Sequence, residues 1–175
     1  MEIDAMKTDV RVCIQRNDFD VTAEVAMLRE RDPRVGAVAV FIGTVREMND
    51  SGDGSANEPA KGPALVQAMT LEHYPGMTEK ALSKIVTDAA QRFDILGATV
   101  IHRVGELKPL DQIVLVAVKS AHRGDAFDAC RFIMDYLKTQ APFWKKETTA
   151  EGAHWVDARE SDDEAAARWQ FPRNR

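Results

Sequence analysis

Residues 112–142, QIVLVAVKSAHRGDAFDACRFIMDYLKTQAP, join a predicted strand directly to a long amphipathic helix. The run IVLVAV predicts a strand over Gln112–Ser120, and Gly124 or Asp125 then begins a helix that Pro142 ends. Apolar residues recur along that helix at helical spacing, which places on one face Ala126, Phe127, Cys130, Ile133, Met134 and Leu137. The fold is therefore expected to grow from a strand with a helix packed beside it.

Further elements are predicted on both sides of this pair. Val35–Gly43 is continuous and β-branched, which predicts a buried strand, and the alternation of Val10, Val12 and Ile14 predicts a half-buried one. Other strands are expected at 65–72, 98–104, 143–147 and 154–157. One helix is expected from Asp18 or Asp20 to Arg31, and a second is expected to hold Pro75 in its first turn. A helical turn is expected over 165–169.

The strands at 98–104 and 112–120 are expected to form a hairpin around a Glu106–Asp111 turn. Such a hairpin does not fit a purely parallel fold. The predicted class is therefore α+β, with a mixed, largely antiparallel sheet and helices packed on it.

Composition narrows the class of protein. The chain has 175 residues with 23 basic and 28 acidic side chains, a net charge of −5. One domain over 1–175 is expected at this length, and an acidic chain is a poor nonspecific ligand of nucleic acid or anionic membrane. The apolar runs fall far short of the roughly 20 residues of a membrane-spanning helix.

Cys13 and Cys130 form neither a disulfide framework nor a CxxC motif, which fits a reducing cytoplasm.

Two segments are expected to lie outside the packed part of this domain. Residues 49–63, NDSGDGSANEPAKGP, hold no apolar residue larger than alanine, which predicts a flexible loop, either a tolerated insertion or a lid. The tail at 170–175 is expected to fray.

Motifs for several chemistries are missing. GxGxxG, P-loop and GxSxG patterns do not occur, and the four histidines are scattered, so neither a cofactor nor a metal site is predicted. Cys130 lies on the apolar stripe of its helix, where a buried thiol of raised pKa is unreactive.

Cations concentrate locally in this acidic chain. Between Lys119 and Lys146 six Lys and Arg residues stand against three Asp residues. His122 and Arg123 precede a helix N-terminus, where backbone N–H groups and the helix dipole favour an anion. Lys138 lies near the other end of that helix, about 22 Å away for 15 residues. We therefore expect either two subsites or one site shared across a dimer.

Each of these cations also has an ordinary structural explanation. Lys138 is favourable at a helix C-terminus through the dipole alone. Lys145 and Lys146 fit a solvated face, and Arg46 fits the end of a strand. The residues by themselves thus indicate an α+β domain with a possible anion pocket.

Several stretches, taken in order, resemble the catalytic large subunit of molybdopterin synthase. They cover roughly residues 35–169: FIGTVRE (41–47), LEHYPGMTEKAL (71–82), VIHRVGEL (100–107), SAHR (120–123), FIMDYLKTQAPFWKKE (132–147) and WVDARESD (155–162). The resemblance implies an α/β hammerhead fold and a homodimer of this chain within a heterotetramer. It also implies a small ubiquitin-like partner with a C-terminal Gly-Gly thiocarboxylate, whose sulfur is transferred twice to cyclic pyranopterin monophosphate to make the dithiolene of molybdopterin.

The same resemblance implies which residues form the substrate pocket. They are Thr44, Val45, Arg46, His122, Arg123, Lys138, Lys145, Lys146 and Glu147, with Arg159 as a further basic position. Lys138 and Lys145 would be catalytic and would stabilise developing negative charge. Arginine suits bidentate recognition of phosphate or a pterin carbonyl, and His122 can bind phosphate or move a proton. The 49–63 loop is longer than the family's usual connection.

Two other functions compete with this enzyme. The chain could be a docking module that binds a ubiquitin-like tail or an anionic metabolite without catalysis. It could also be a phosphate-ester enzyme of another class, which would need a metal or a nucleophile that the motifs do not supply. The sulfur-transfer reaction would need no cysteine in this chain, since the partner would carry the sulfur.

Overall fold

The computed structural model of the chain describes residues 8–30, 32–49, 64–156 and 160–170. The elements are β1 (Asp9–Gln15), α1 (Val21–Arg29), β2 (Ala37–Thr44), β3 (Met48–Asn49), β4 (Ala64–His73), α2 (Met77–Arg92), β5 (Gly97–Arg103), β6 (Gly105–Leu107), β7 (Gln112–Ser120), α3 (Arg123–Gln140), β8 (Phe143–Thr149), β9 (Gly152–Val156) and α4 (Glu160–Ala167). Almost all of the predicted 49–63 loop and of the predicted frayed tail at 170–175 lies outside the described residues.

The strands form two sheets. The first has the order β1-β5-β7-β2, and the second has the order β3-β4-β8-β9 with β6 also paired to β4. The β1–β5 pair is parallel, and the other described pairs are antiparallel. This confirms the predicted α+β class and the hairpin of β5 with β7, but a single sheet was expected and two are present.

After β5 the chain crosses from the first sheet to the second. After Val104 it turns at Gly105, whose φ of +90° favours glycine, and residues 105–107 pair with β4. The prediction of a plain turn over Glu106–Asp111 is therefore wrong for its first two residues. Three residues are too short for a periodic signal, so this strand depends on its tertiary partner.

Helices cover both faces of the first sheet. Helices α2 and α3 pack on one face, and their core contacts include Leu82, Val86, Ile133, Val100 and Val116. On the opposite face Ile101 and Leu115 pack with Phe19, close to α1. Because both faces are buried, the central strands are continuously apolar, and each large aliphatic side chain buried there contributes about 2 kcal/mol.

Lys119 belongs to this core and not to an anion site. Its side chain lies on β7 with the residue only 4% exposed. Its Nζ is 3.3 Å from Asp9 Oδ2 and 3.8 Å from Asp32 Oδ2, so two carboxylates compensate the buried charge. The first cation of the predicted basic segment thus links β1 to the loop after α1.

Helix boundaries differ in several places from those expected, since α1 ends at Arg29, earlier than predicted, and α3 begins at Arg123, one residue before Gly124. Helix α2 begins at Met77 after Gly76, whose N–H donates to Glu79 Oε2 at 2.6 Å, so Pro75 precedes the helix and is not in its first turn. Helix α4 is longer than the predicted turn and is followed by Trp169, which packs on Phe93 and Phe132. Helix α1 begins as predicted, with the Asp20 side chain accepting from Ala23 N. Within the described residues no helix is long and apolar enough to cross a bilayer.

The buried His102 makes stability depend on pH. Its ring stacks on Phe143 with centroids 3.8 Å apart, and burial lowers its pKa from 6.5 to about 4. The unfolded chain therefore binds a proton near pH 6.5, whereas the folded chain does so only near pH 4. We expect stability to be full above pH 6.5 and to fall by about 3 kcal/mol as pH decreases to 4.

Urea unfolding of the wild type and of His102→Phe, at pH 7 and at pH 4.5, tests this. The phenylalanine keeps the stacked ring but cannot take up a proton, so the variant should lose less stability between the two pH values. Asp32, whose pKa Arg34 lowers, titrates below this window. An equal loss in both proteins would contradict the assignment to His102.

Candidate active site

Helix α3 carries one basic group at its N-terminal end. His122 is the N-cap residue with extended backbone, and its side chain makes no capping hydrogen bond. Its N–H donates to Ser120 Oγ at 3.2 Å, and that hydroxyl donates to Asp94 O at 2.7 Å, so a buried serine holds the turn. The side chains of His122 and Arg123 are exposed at this end of the helix.

A shallow depression lies beside these two residues. It is lined by Gly36, Ala121, His122, Arg123 and Gly124. Gly36 N–H donates to Ser120 O at 3.0 Å, and a Cβ at position 36 would collide with the carbonyl oxygen of Ala121. The close approach of the two chain segments thus requires glycine, and it brings the start of β2 next to the N-terminus of α3.

The part of α3 from Phe127 to Lys138 forms a groove against β2. The groove has a volume of about 420 Å³ and is lined by Ala39, Val40 and Phe41 from β2 and by Phe127, Cys130, Arg131, Met134, Asp135 and Lys138 from α3. Its walls are mainly apolar. Asp135 lies about one helical turn before Lys138, and both residues line the groove. The Trp169 indole N–H donates to Asp135 Oδ2 at 2.8 Å, so the segment after α4 is tied to this turn of the helix.

Lys145 lies on β8 and pairs with Glu147. The two side chains are on one face of the strand, and Lys145 Nζ forms an ion pair with Glu147 Oε1. Glu147 is only 4% exposed, while Lys145 reaches partly into solvent. A buried carboxylate needs a cation, so the predicted substrate residue Glu147 has at least the role of holding Lys145 in place.

Lys146 faces the opposite side of the second sheet. Its Nζ lies 5.7 Å from the ring centroid of Trp155, which is the residue opposite it on β9. A cation over an aromatic face is stabilised by the ring quadrupole. Because neighbouring residues of a strand point to opposite faces, Lys145 and Lys146 do not share one pocket surface within a single chain.

Residues 44–46, at the end of β2 and directly after it, differ in their exposure to solvent. Thr44 pairs with Gln112 after a register shift, and Thr44 and Arg46 are both exposed. Val45 is buried with Met69, Leu71 and Leu107, and its N–H donates to Asp111 O at 2.9 Å. We therefore leave the Val45 side chain out of the proposed substrate contacts. Arg159 lies outside the described residues.

Within one chain the predicted site residues form separate groups. His122 and Arg123 lie where β2 begins and α3 starts, whereas Arg46 follows the end of β2 and Lys138 is near the end of α3. The expected separation of about 22 Å along the helix therefore persists in the fold. Lys145 and Glu147 follow Lys138 across a short linker, Ala141–Pro142.

Phe41 and Asp135 carry no sequence signal that singles them out as groove residues. Phe127 is predicted on the apolar face of its helix, but it is 65% exposed and lines the groove. Helical spacing indicates only that Asp135, three positions before Lys138, shares its face. Among the described residues no group of three or more His, Cys, Asp or Glu side chains could hold a metal ion.

The fold is α+β, and cationic side chains lie near both ends of one helix, α3. A family model described as MoaE protein matches residues 14–140. A molybdopterin synthase catalytic subunit from Ralstonia nicotianae is 62% identical over 156 residues, 89% of this chain and 82% of that protein. The chain belongs to the MoaE protein family, and the predicted identity as an enzyme of molybdenum cofactor biosynthesis, a molybdopterin synthase catalytic subunit, is confirmed.

Solved structures share the fold of this chain. The molybdopterin biosynthesis MoaE protein from Burkholderia ambifaria MC40-6 matches with a TM-score of 0.75 and 55% identity, over 93% of this chain and 99% of that one. A protein–protein complex of subunits 1 and 2 of molybdopterin-converting factor from Helicobacter pylori 26695 matches with a TM-score of 0.61 over 86% of this chain and 91% of that one. At 16% identity the second match shows the fold alone.

The Cys130 thiol is buried as predicted. Its Sγ lies 3.7 Å from Val116 O, and burial raises its pKa from 9.0 to about 11, so it carries almost no thiolate at neutral pH. We expect Cys130→Ala to keep the sulfur-transfer rate of the wild type, with a loss of stability from the small cavity. The measurement is dithiolene formation per folded molecule, and a thousandfold loss in a folded variant would show that the thiol takes part.

Proposed function

We propose that Lys138 and Lys145 are the catalytic residues of sulfur transfer, and that His122, Arg123 and Arg46 bind the anionic substrate. The substrate is cyclic pyranopterin monophosphate, and the sulfur donor is the C-terminal thiocarboxylate of a small ubiquitin-like subunit. The observation that carries this proposal is the placement of two cationic groups at opposite ends of β2 and α3, with an apolar groove between these two elements that reaches Lys138.

The chemistry explains why cations are needed. Negative charge develops when the cyclic phosphate opens and when a tetrahedral species forms at the thiocarboxylate carbon, and a positioned ammonium stabilises both. Lys145 is held by Glu147 and is only partly exposed, which pre-organises its charge. Thr44, Lys146 and Arg159 are kept as further substrate contacts in this proposal.

A homodimer would unite the two cationic groups. Among the described strands β2 has a neighbour on one side only, and it exposes Val40, Phe41 and Ile42 at about 40% each. A long apolar edge strand is a liability unless it is covered. If two β2 strands meet antiparallel across a two-fold axis, His122 and Arg123 of the second copy reach Arg46 and Lys138 of the first.

The complete enzyme in this proposal is a heterotetramer of two such chains and two small subunits. The complex of two subunits in the Helicobacter pylori structure, whose fold this chain shares, supports a partner of that kind. The free cysteines Cys13 and Cys130 fit a cytoplasmic location, where thiols stay reduced.

Substitution of the two lysines tests the catalytic assignment. We expect Lys138→Ala and Lys145→Ala each to lower the rate of dithiolene formation by about 100-fold or more, because each removes a charge that stabilises the transition state. The assay reconstitutes the chain with a thiocarboxylated ubiquitin-like protein and cyclic pyranopterin monophosphate. Lys84→Ala is the matched control, since Lys84 is exposed on α2 and pairs with Asp88.

Binding of the small subunit should survive in both lysine variants. Near-normal turnover by either variant would remove that lysine from the mechanism. If the wild type binds the tail but does not convert the pterin, the chain acts as a docking module without catalysis under those conditions.

Mixing of inactive variants tests the shared site. In a mixed dimer of Lys138→Ala with Arg123→Ala, one site retains both wild-type residues, so random mixing should restore roughly a quarter of wild-type activity. Lys138→Ala mixed with Lys145→Ala is the matched control, because both lysines belong to one chain's half of the site and no intact site can form. Equal inactivity of the two mixtures would contradict the shared site.

A further inference from the structure

The linker between the elements that carry the two proposed catalytic lysines is short. Helix α3 ends at Gln140 and β8 begins at Phe143, so Ala141 and Pro142 alone connect them. The Ala141 N–H still donates to Leu137 O at 3.3 Å, and the Phe143 N–H donates to Ala141 O at 2.9 Å. The relative position of Lys138 and Lys145 therefore depends on how this turn is held.

One buried hydroxyl contacts the linker from α2. Thr78 is 0% exposed, and its Oγ1 lies 3.1 Å from Pro142 O, 64 residues along the chain. The same oxygen accepts from Tyr74 N at 3.1 Å and is 3.1 Å from Tyr74 O. Since Tyr74 O already accepts from the N–H groups of Met77 and Thr78, the single hydroxyl hydrogen is best used on Pro142.

One buried ring contacts the linker from the first sheet. The His102 imidazole stacks on Phe143 with an interplanar angle of 18°, and its Nδ1 lies 2.8 Å from Arg103 O. That hydrogen bond fixes the ring plane on β5. Phe143 is also opposite His73 on β4, so the start of β8 is held from two sides.

We propose that Thr78 and His102 are positioning residues that clamp the Pro142–Phe143 turn and thereby set the geometry of Lys138 relative to Lys145. The proposal rests on the catalytic roles proposed above for these lysines. Both clamp residues are buried, and neither reaches the groove. A displacement of about 1 Å at a catalytic group can lower a rate by 100-fold, so a fixed turn matters for catalysis.

The primary test compares Thr78→Val with Thr78→Ser in the reconstituted complex. Valine keeps the shape but removes the hydroxyl, and serine keeps the hydroxyl but removes a buried methyl. We expect kcat of Thr78→Val to fall about tenfold or more with little change in KM, whereas Thr78→Ser stays within about twofold of the wild type. A role in packing alone would make serine at least as harmful as valine.

Thr149→Val is the matched control, since Thr149 is a buried threonine on β8, the strand that carries Lys145. Its hydroxyl bonds within the β8–β9 turn, to Gly152 O and from Glu151 N, and is remote from the linker. We expect its kcat to match the wild type. Equal losses in Thr149→Val and Thr78→Val would overturn the clamp.

A double variant separates this proposal from the catalytic assignment. If Thr78 acts through Lys145, Thr78→Val should cause no further loss in a Lys145→Ala background. A full additional loss there would overturn the clamp while leaving the lysine assignment intact. Full activity in Lys138→Ala and Lys145→Ala would instead overturn the assignment on which the clamp rests.

His102 supplies a second test should Thr78→Val fail to fold. His102→Leu removes the stacked ring and should lower kcat. His102→Phe loses the hydrogen bond to Arg103 O but keeps the stack, so its kcat should stay closer to that of the wild type. Folding is checked by circular dichroism and small-subunit binding. Equal kcat values in the two folded variants would contradict the role of the ring.

Discussion

The packing of α3 against β7 is the constraint on which the rest of the structure depends. The helix follows the strand after two residues and buries Ala126, Ala129 and Ile133 against it, while β5 and β2 flank the strand. This contact fixes both ends of the helix. The N-terminal end presents His122 and Arg123, and the C-terminal end directs the chain through Pro142 into the second sheet, where Lys145 lies.

The cations of this acidic chain lie in different surroundings. Lys119 is compensated within the core by Asp9 and Asp32, and Lys146 lies over Trp155 on the outer face of the second sheet. Lys145 is held by the buried Glu147. The net charge of −5 therefore says little about the local field, since each cation acts within a Debye length of roughly 10 Å.

The two sheets have different structural roles. The first is covered by helices on both faces and serves as the rigid support. The second is built from β3, β4, β6, β8 and β9 and has a small core of Val45, Met69, Leu71 and Leu107. It carries Lys145 and Glu147 on the face toward that core. The proposed site spans the two sheets and therefore depends on the turn that joins them, which Thr78 and His102 contact at Pro142 and Phe143.

Local pattern determined much of this protein. Helical spacing predicted α3 and α2, β-branched runs predicted β2 and β7, and the motif order predicted the family, because each of these signals lies within a few neighbouring residues. Tertiary structure alone decided the second sheet, the burial of Lys119 and Val45, and the pairing of Lys145 with Glu147. Those features depend on which distant segments meet, and a three-residue strand or a lone lysine carries no periodicity that could predict its partner.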